Sequence, residues 1–162
     1  MINRKLIAAV AVLAVAVPQA ASANTIVVNA LALQTCLVTA TPMAFGSVSP
    51  GVAAVDSTST LNLVCTPNAQ FDVLLNNGQN AEGSQRQMKG GLSGEDEFIP
   101  YNLYIDAART NTWGNTVGTD TQEGSANALG VAQFTVYGQI PLTAKPVSAG
   151  AYTDLVTVSV AF

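Results

Sequence analysis

Over most of its length the chain alternates apolar and polar residues with a period of two. In STLNLVCT (59–66), Leu61, Leu63 and Cys65 share one phase. In VAQFTVYGQIP (131–141), Phe134, Val136 and Ile140 lie opposite Thr135, Tyr137 and Gln139. IPYNLYIDAARTNTWGN (99–115) puts Tyr101, Leu103 and Ile105 on one face and Asn102, Tyr104 and Asp106 on the other. AGAYTDLVTVSVAF (149–162) carries Tyr152, Val156, Val158, Val160 and Phe162 in one phase, and Leu155, Thr157, Ser159 and Ala161 in the other. Such alternation predicts half-buried strands. FDVLLNNGQ (71–79) is a further short strand, and its Asn77-Gly78 pair signals a tight turn. In LVTATPMAFGSVSPGVAA (37–54), Pro42, Gly46, Pro50 and Gly51 deny a helix. Residues 79–97 read as a polar, glycine-rich loop with one edge strand at RQMKG, and 115–130 as an exposed loop. Outside the leader, no 3.6-residue pattern survives. Short strands with turn signals every ~8–12 residues predict an all-β sandwich.

The two ends do not fit a closed sandwich. Residues 1–23 read as a secretory signal peptide: Arg4 and Lys5, then the uncharged apolar stretch Leu6 to Val17, then Ala21-Ser22-Ala23 as a cleavage site. That stretch has 12 residues, short of the roughly 20 needed to cross a bilayer. The expectation is an exported mature chain of 139 residues from Asn24, the size of one domain. It opens on NTIVVNALALQTC (24–36), a strand-like apolar run with no hairpin partner nearby, and it stops inside its last strand. Two readings are open. The run is the first strand of its own sheet, or it is given to another chain. A sandwich short of one strand leaves an open edge and an apolar groove, and a partner's strand repairs both. If each copy fills its neighbour's groove, the contact is heterologous and grows as a fibre.

Composition narrows the function. The mature chain keeps four basic residues (Arg86, Lys89, Arg109, Lys145) against ten acidic ones. Nucleic-acid binding needs clustered cations and is not expected. The two cysteines, Cys36 and Cys65, sit in a chain read as exported and predict one structural disulfide. The rival, a metal or redox pair, has no support, since the chain has no C-x-x-C and no histidine. Without histidine there is no Ser-His-Asp or Cys-His unit. No acidic pair sits in an apolar strand context that would raise one pKa for glycosidase chemistry. An enzyme is therefore not expected, nor a cofactor. Glu95-Asp96-Glu97, with Asp56 or Asp120, is a candidate Ca²⁺ cluster, but its spacing matches no EF-hand loop. Trp113 reads as a strand-end residue covering the core rather than a ligand-stacking one. Of Tyr101 and Tyr104, on opposite faces, one is expected to pack and the other to be exposed.

The chain also resembles the spore coat protein U domain family, whose members include subunits of archaic chaperone–usher pili. The resemblance rests on QTC (34–36), AFGSVSPG (44–51), STLNLVCTP (59–67), RQM (86–88), PYNLYIDAARTNTWGN (100–115), FTVYGQIP (134–141) and PVSAGAYTDLVTVSV (146–160), in order along the mature chain. It implies an incomplete immunoglobulin-like β-sandwich lacking its last strand, completed by a donor strand from a chaperone or a neighbouring subunit. It divides the chain into signal 1–23, donor extension 24–35 and body 36–162. Donor positions would be Ile26, Val28, Ala30 and Ala32, although the opposite phase, Val27, Leu31 and Leu33 interrupted by Asn29, is the other register. The acceptor groove would be lined partly by Val156, Val158, Val160 and Phe162, and the chaperone would hold the carboxylate of Phe162 with basic residues. The implied partners are identical or homologous pilus subunits, a periplasmic chaperone and an outer-membrane usher. The implied location is the periplasm in transit, then a cell-surface fimbria serving adhesion and biofilm formation. A tip adhesin is expected to carry an extra binding domain and to lack a free donor segment, which favours a repeated subunit here. The alternative from another class is a secreted, non-polymerising coat or surface-binding sandwich module.

Overall fold

The computed structural model describes residues 28–92 and 96–162; the expected signal peptide, Ile26 and Glu95 lie outside these residues. The chain divides into two units, Met1–Leu31 and Ala32–Phe162. Of the first, residues 28–31 are described; they are irregular and exposed, Val28 and Leu31 among them.

The second unit is all-β among the described residues, with nine strands and no helix. They are β1 (Cys36–Ala40), β2 (Val55–Cys65), β3 (Gln70–Leu75), β4 (Arg86–Gly90), β5 (Glu97–Tyr104), β6 (Gln122–Ser125), β7 (Val131–Ile140), β8 (Tyr152–Thr153) and β9 (Val158–Ala161). Six form one sheet in the order β1-β2-β7-β5-β4-β8, and three form a second in the order β6-β3-β9. Every pairing is antiparallel. The inward phases are those the alternation predicts. Leu61 and Leu63 of β2, Phe71, Val73 and Leu75 of β3, Ile99, Tyr101 and Leu103 of β5, and Val136 and Ile140 of β7 build one core between the sheets. Cys36 lies directly opposite Cys65, and a disulfide joins β1 to β2.

Five local expectations need correction. RQMKG is not an edge strand: β4 pairs with β5 on one side and β8 on the other. Residues 115–130 contain β6, a QEGS strand invisible to periodicity because it offers no apolar residue; its Gly124 passes against Phe71 and Phe134, where a Cβ would lie 2.4 Å from the Phe134 ring. Asn77-Gly78 closes no hairpin. Gly78 has φ +84° and turns the chain, but β3 and β4 belong to different sheets, so residues 76–85 cross between them. The single strand expected over 149–162 is two: β8 in the large sheet and β9 in the small one, with a switch at 154–157. Tyr101 and Tyr104 are both buried. Tyr104 is covered because the 105–112 loop folds back, with a bridge to Thr112 and Ile105 N–H donating to Asn111 O at 3.0 Å.

Candidate functional site

The sandwich is open along one side. β1 is one edge of the large sheet and β9 one edge of the small one; among the described residues each pairs on one side only. The two edges come within 8 Å (Cα–Cα) of each other. A cavity of about 430 Å³ lies between the sheets. One lip is Ala40 to Met43 and Phe45; the other is Thr153 to Val156 and Val158. The floor is core: Leu61, Leu75, Leu103 and Val136. A second cavity of about 850 Å³ continues past Phe45 between residues 46–50 and 146–151, sharing Met43, Phe45, Met88 and Tyr152 with the first.

The backbone explains why the lips stay apart. After Ala40 the chain remains on the edge of β2, where Thr41 N–H donates to Thr60 O at 2.9 Å and Ser57 Oγ donates to Ala44 O at 2.7 Å. This aims Met43 and Phe45 inward, half-buried. On the other lip, Asp154 fixes the sheet switch. Its Oδ1 accepts Gln79 N–H (2.9 Å), Asn80 N–H (3.1 Å) and Asn80 Nδ2 (3.0 Å), and its Oδ2 accepts the Tyr101 hydroxyl at 2.6 Å. Burial, then the hydrogen bond to Asp154, then that residue's charge, push the Tyr101 phenol well above its ordinary value, with Arg86 opposing. Arg86 is buried behind it, its Nε donating to Asn76 O (2.9 Å) and its Nη2 to Leu75 O (2.9 Å) and Trp113 O (2.8 Å). Desolvation lowers its pKa against the attraction of Tyr101, Asp120 and Asp154.

The predicted site residues distribute as follows. Val156, Val158 and Val160 are half-buried and pack on the core, with Val158 opposite Leu75 and Val160 opposite Val73. Val156 and Val158 line the cavity, while Phe162 is 61% exposed beyond it. Ala30 and Ala32, like Val28, are exposed, and neither lies in a strand. Trp113 is a core residue: it is buried, its indole N–H donates to Val73 O at 2.8 Å, and its ring meets Phe134 edge-on. The candidate Ca²⁺ carboxylates have other partners: Asp96 meets Lys89, Asp56 meets Arg109, Glu97 accepts Ser148 N–H and the Tyr152 hydroxyl, and Asp120 accepts Thr116 N–H. Met43, Phe45, Met88, Arg86 and Asp154 were missed as site residues. The signal for the first two was the Met-Ala-Phe alternation inside an otherwise loop-like run, and for Arg86 its isolation as a cation beside apolar strands.

No curated protein sequence matches the chain. Among solved structures it is similar to a chain of the CsuC–CsuE chaperone–tip adhesion subunit pre-assembly complex from archaic chaperone-usher Csu pili of Acinetobacter baumannii, with 26% identity and a TM-score of 0.53, covering 80% of this chain. The protein spans only 40% of the length of that chain. It also matches the E. coli Hda pilus minor tip subunit HdaB at 16% identity and a TM-score of 0.43, over 76% of this chain and 79% of that one. The sequence profile of the Spore Coat Protein U domain matches residues 22–159. The chain belongs to the Spore Coat Protein U domain family.

Proposed function

We propose that this chain is a non-catalytic structural subunit of a cell-surface pilus, polymerised when the 24–35 extension of one copy enters the groove of the next. The observation that carries this is the groove itself. At the centre of the sandwich Leu63, Val73 and Ile140 are completely buried, yet Val158 and Val160 of β9, and Val156 just before it, remain half-buried at a strand edge that among the described residues pairs on one side only. An added strand supplies both the backbone partners and the apolar cover. In this reading a periplasmic chaperone lends the strand first and holds the exposed Phe162 end. An outer-membrane usher then exchanges it for the extension of the next subunit, and the fibre serves adhesion and biofilm formation. The CsuC–CsuE complex, a chaperone with a pilus subunit, supports the first step by likeness.

The test is thermal unfolding of the mature body, prepared with its chaperone and lacking residues 24–35, with and without a synthetic 24–35 peptide. A large rise in midpoint with peptide is expected. A body already stable alone and indifferent to the peptide would replace this reading with a non-polymerising binding module.

A further inference from the structure

We propose that the outer face of the six-stranded sheet carries a second contact between copies of this chain, an apolar row that packs against the groove rim of the neighbouring subunit. The inference rests on the pilus reading above but concerns a different surface.

Leu37, Val64 and Val131 lie directly opposite one another across β1, β2 and β7. They occupy the outward phase, opposite to that of Cys36, Cys65 and Ala132, which pack on the core. They are 68%, 60% and 46% exposed, and Leu129, in the turn before β7, is 84% exposed. Directly opposed residues in an antiparallel sheet stand about 5 Å apart, so these three form one continuous stripe rather than scattered apolar residues. The rest of that face is different. The successive rows are Thr39–Asn62–Gln133, Thr60–Thr135, Thr58–Tyr137 and Asp56–Gln139. Several of these residues hydrogen-bond along the face: Gln133 Nε2 donates to Asn62 Oδ1 at 2.7 Å, and Gln139 Nε2 donates to Asp56 Oδ1 at 2.9 Å. Across β1, β2 and β7, aliphatic residues are thus confined to one end of the face.

That end is where the extension leaves the body, and the attachment is short. Thr66 N–H donates to Thr35 O at 2.9 Å, Thr35 N–H to Thr66 Oγ1 at 3.2 Å, and Thr66 Oγ1 to Leu33 O at 3.2 Å. The body therefore holds the chain as far as Leu33. If Ala32 or Ala30 is the last residue inserted into the next groove, one to three residue steps separate it from Leu33, a reach of roughly 3–10 Å at the rise of an extended strand. The neighbour's groove must then abut the Leu37–Val64–Val131 row. The lip of that groove exposes Leu155, and Phe162 is exposed just past β9, an apolar match for the row. A second copy is thus the occupant, and the contact repeats at each step of the fibre as a heterologous one.

The experiment uses the full chain secreted and polymerised through its chaperone and usher, with the photoreactive residue benzoylphenylalanine in place of Val131. The expected result is a crosslink between copies in multimers, mapping near Leu155 or Phe162, and none in the chaperone-held monomer. Val64→Lys with Val131→Lys should leave the 24–35 peptide response of the body unchanged while lowering the temperature at which multimers dissociate in detergent. Multimers whose label reaches no second copy, or a double variant that dissociates at the native temperature, would overturn the contact while leaving donor-strand assembly intact. A native chain that forms no multimers would overturn the pilus reading and this contact together.

Discussion

The most consequential single residue in the body is Arg86, a buried cation whose guanidinium satisfies three backbone carbonyls, two from the end of β3 and one from Trp113. The Leu75 and Asn76 carbonyls lie where the chain leaves β3 to cross between sheets, and a planar fork serves several diverging acceptors at once. Arg86→Ala would strand these acceptors, each unpaired buried group costing about 1–3 kcal/mol. A clear fall in unfolding midpoint is expected, with Arg86→Lys recovering only part of it. Tyr101 supplies a pH dependence whose sign can be worked out. Its folded pKa lies above the ordinary 10.0, so folding favours the neutral phenol. The stabilisation is complete below pH 10 and is lost as pH rises through the folded value. Tyr101→Phe should be less stable at neutral pH, having lost the bond to Asp154, but should lose less further stability than the native protein between about pH 9 and 11. Denaturant titrations at the two pH values would show the crossover in slope; parallel losses would refute the assignment.

At the scale of elements, the disulfide ties β1 to β2 at the end from which the extension departs. Cross-linking residues 29 apart restricts the unfolded chain by about 3–4 kcal/mol. Cys36→Ser with Cys65→Ser should therefore lower the midpoint markedly. Because β1 begins the groove lip, the variant should also bind the 24–35 peptide more weakly than its stability loss alone explains, measured by titration below both midpoints. Strands with a buried face were legible in advance, since Leu61, Leu63, Tyr101, Leu103, Val136 and Ile140 repeat the period of the pleat. What was not legible follows from physics that a window of residues does not carry. β6 is four polar or glycine residues, held by pairing with β3 rather than by burial of its own. The break between β8 and β9 falls within an unbroken alternation, because Val156 and Val158 keep their inward phase while the hydrogen-bonding partner changes from β4 to β3. Only Asp154, a carboxylate spaced among valines, marks the place, and its partners Gln79, Asn80 and Tyr101 lie far off in sequence. The family resemblance points to Val156 and Val158, which line the cavity; Met43 and Phe45 on the opposing lip lie in a segment that reads as loop.

For the whole molecule, the proposed donor-strand assembly leaves two faces of the extension to choose between for insertion into a neighbour's groove. One register presents Ile26, Val28, Ala30 and Ala32; the other presents Val27, Leu31 and Leu33 with Asn29 among them. Against the floor of Leu61, Leu75, Leu103 and Val136, an unpaired Asn29 would cost about 1–3 kcal/mol, which favours the first. Yet the same cavity is lined by Ser59, Asp154 and Tyr101, and a carboxamide that reached Asp154 would escape that penalty. Charge substitution separates the two. A carboxylate forced into the apolar floor costs far more than one facing solvent, so only the inserted phase is sensitive. We expect Val28→Asp to abolish detergent-resistant multimers and Val27→Asp to weaken them little, with Asp154→Asn affecting the stability of the body but not the ranking of the two. The reverse order, with assembly failing at Val27→Asp and in Asn29→Leu, would instead assign the second register and make Asn29 a polar key read by the groove. Equal sensitivity at both positions would mean that neither face is buried selectively, and the extension would then not act as an inserted strand.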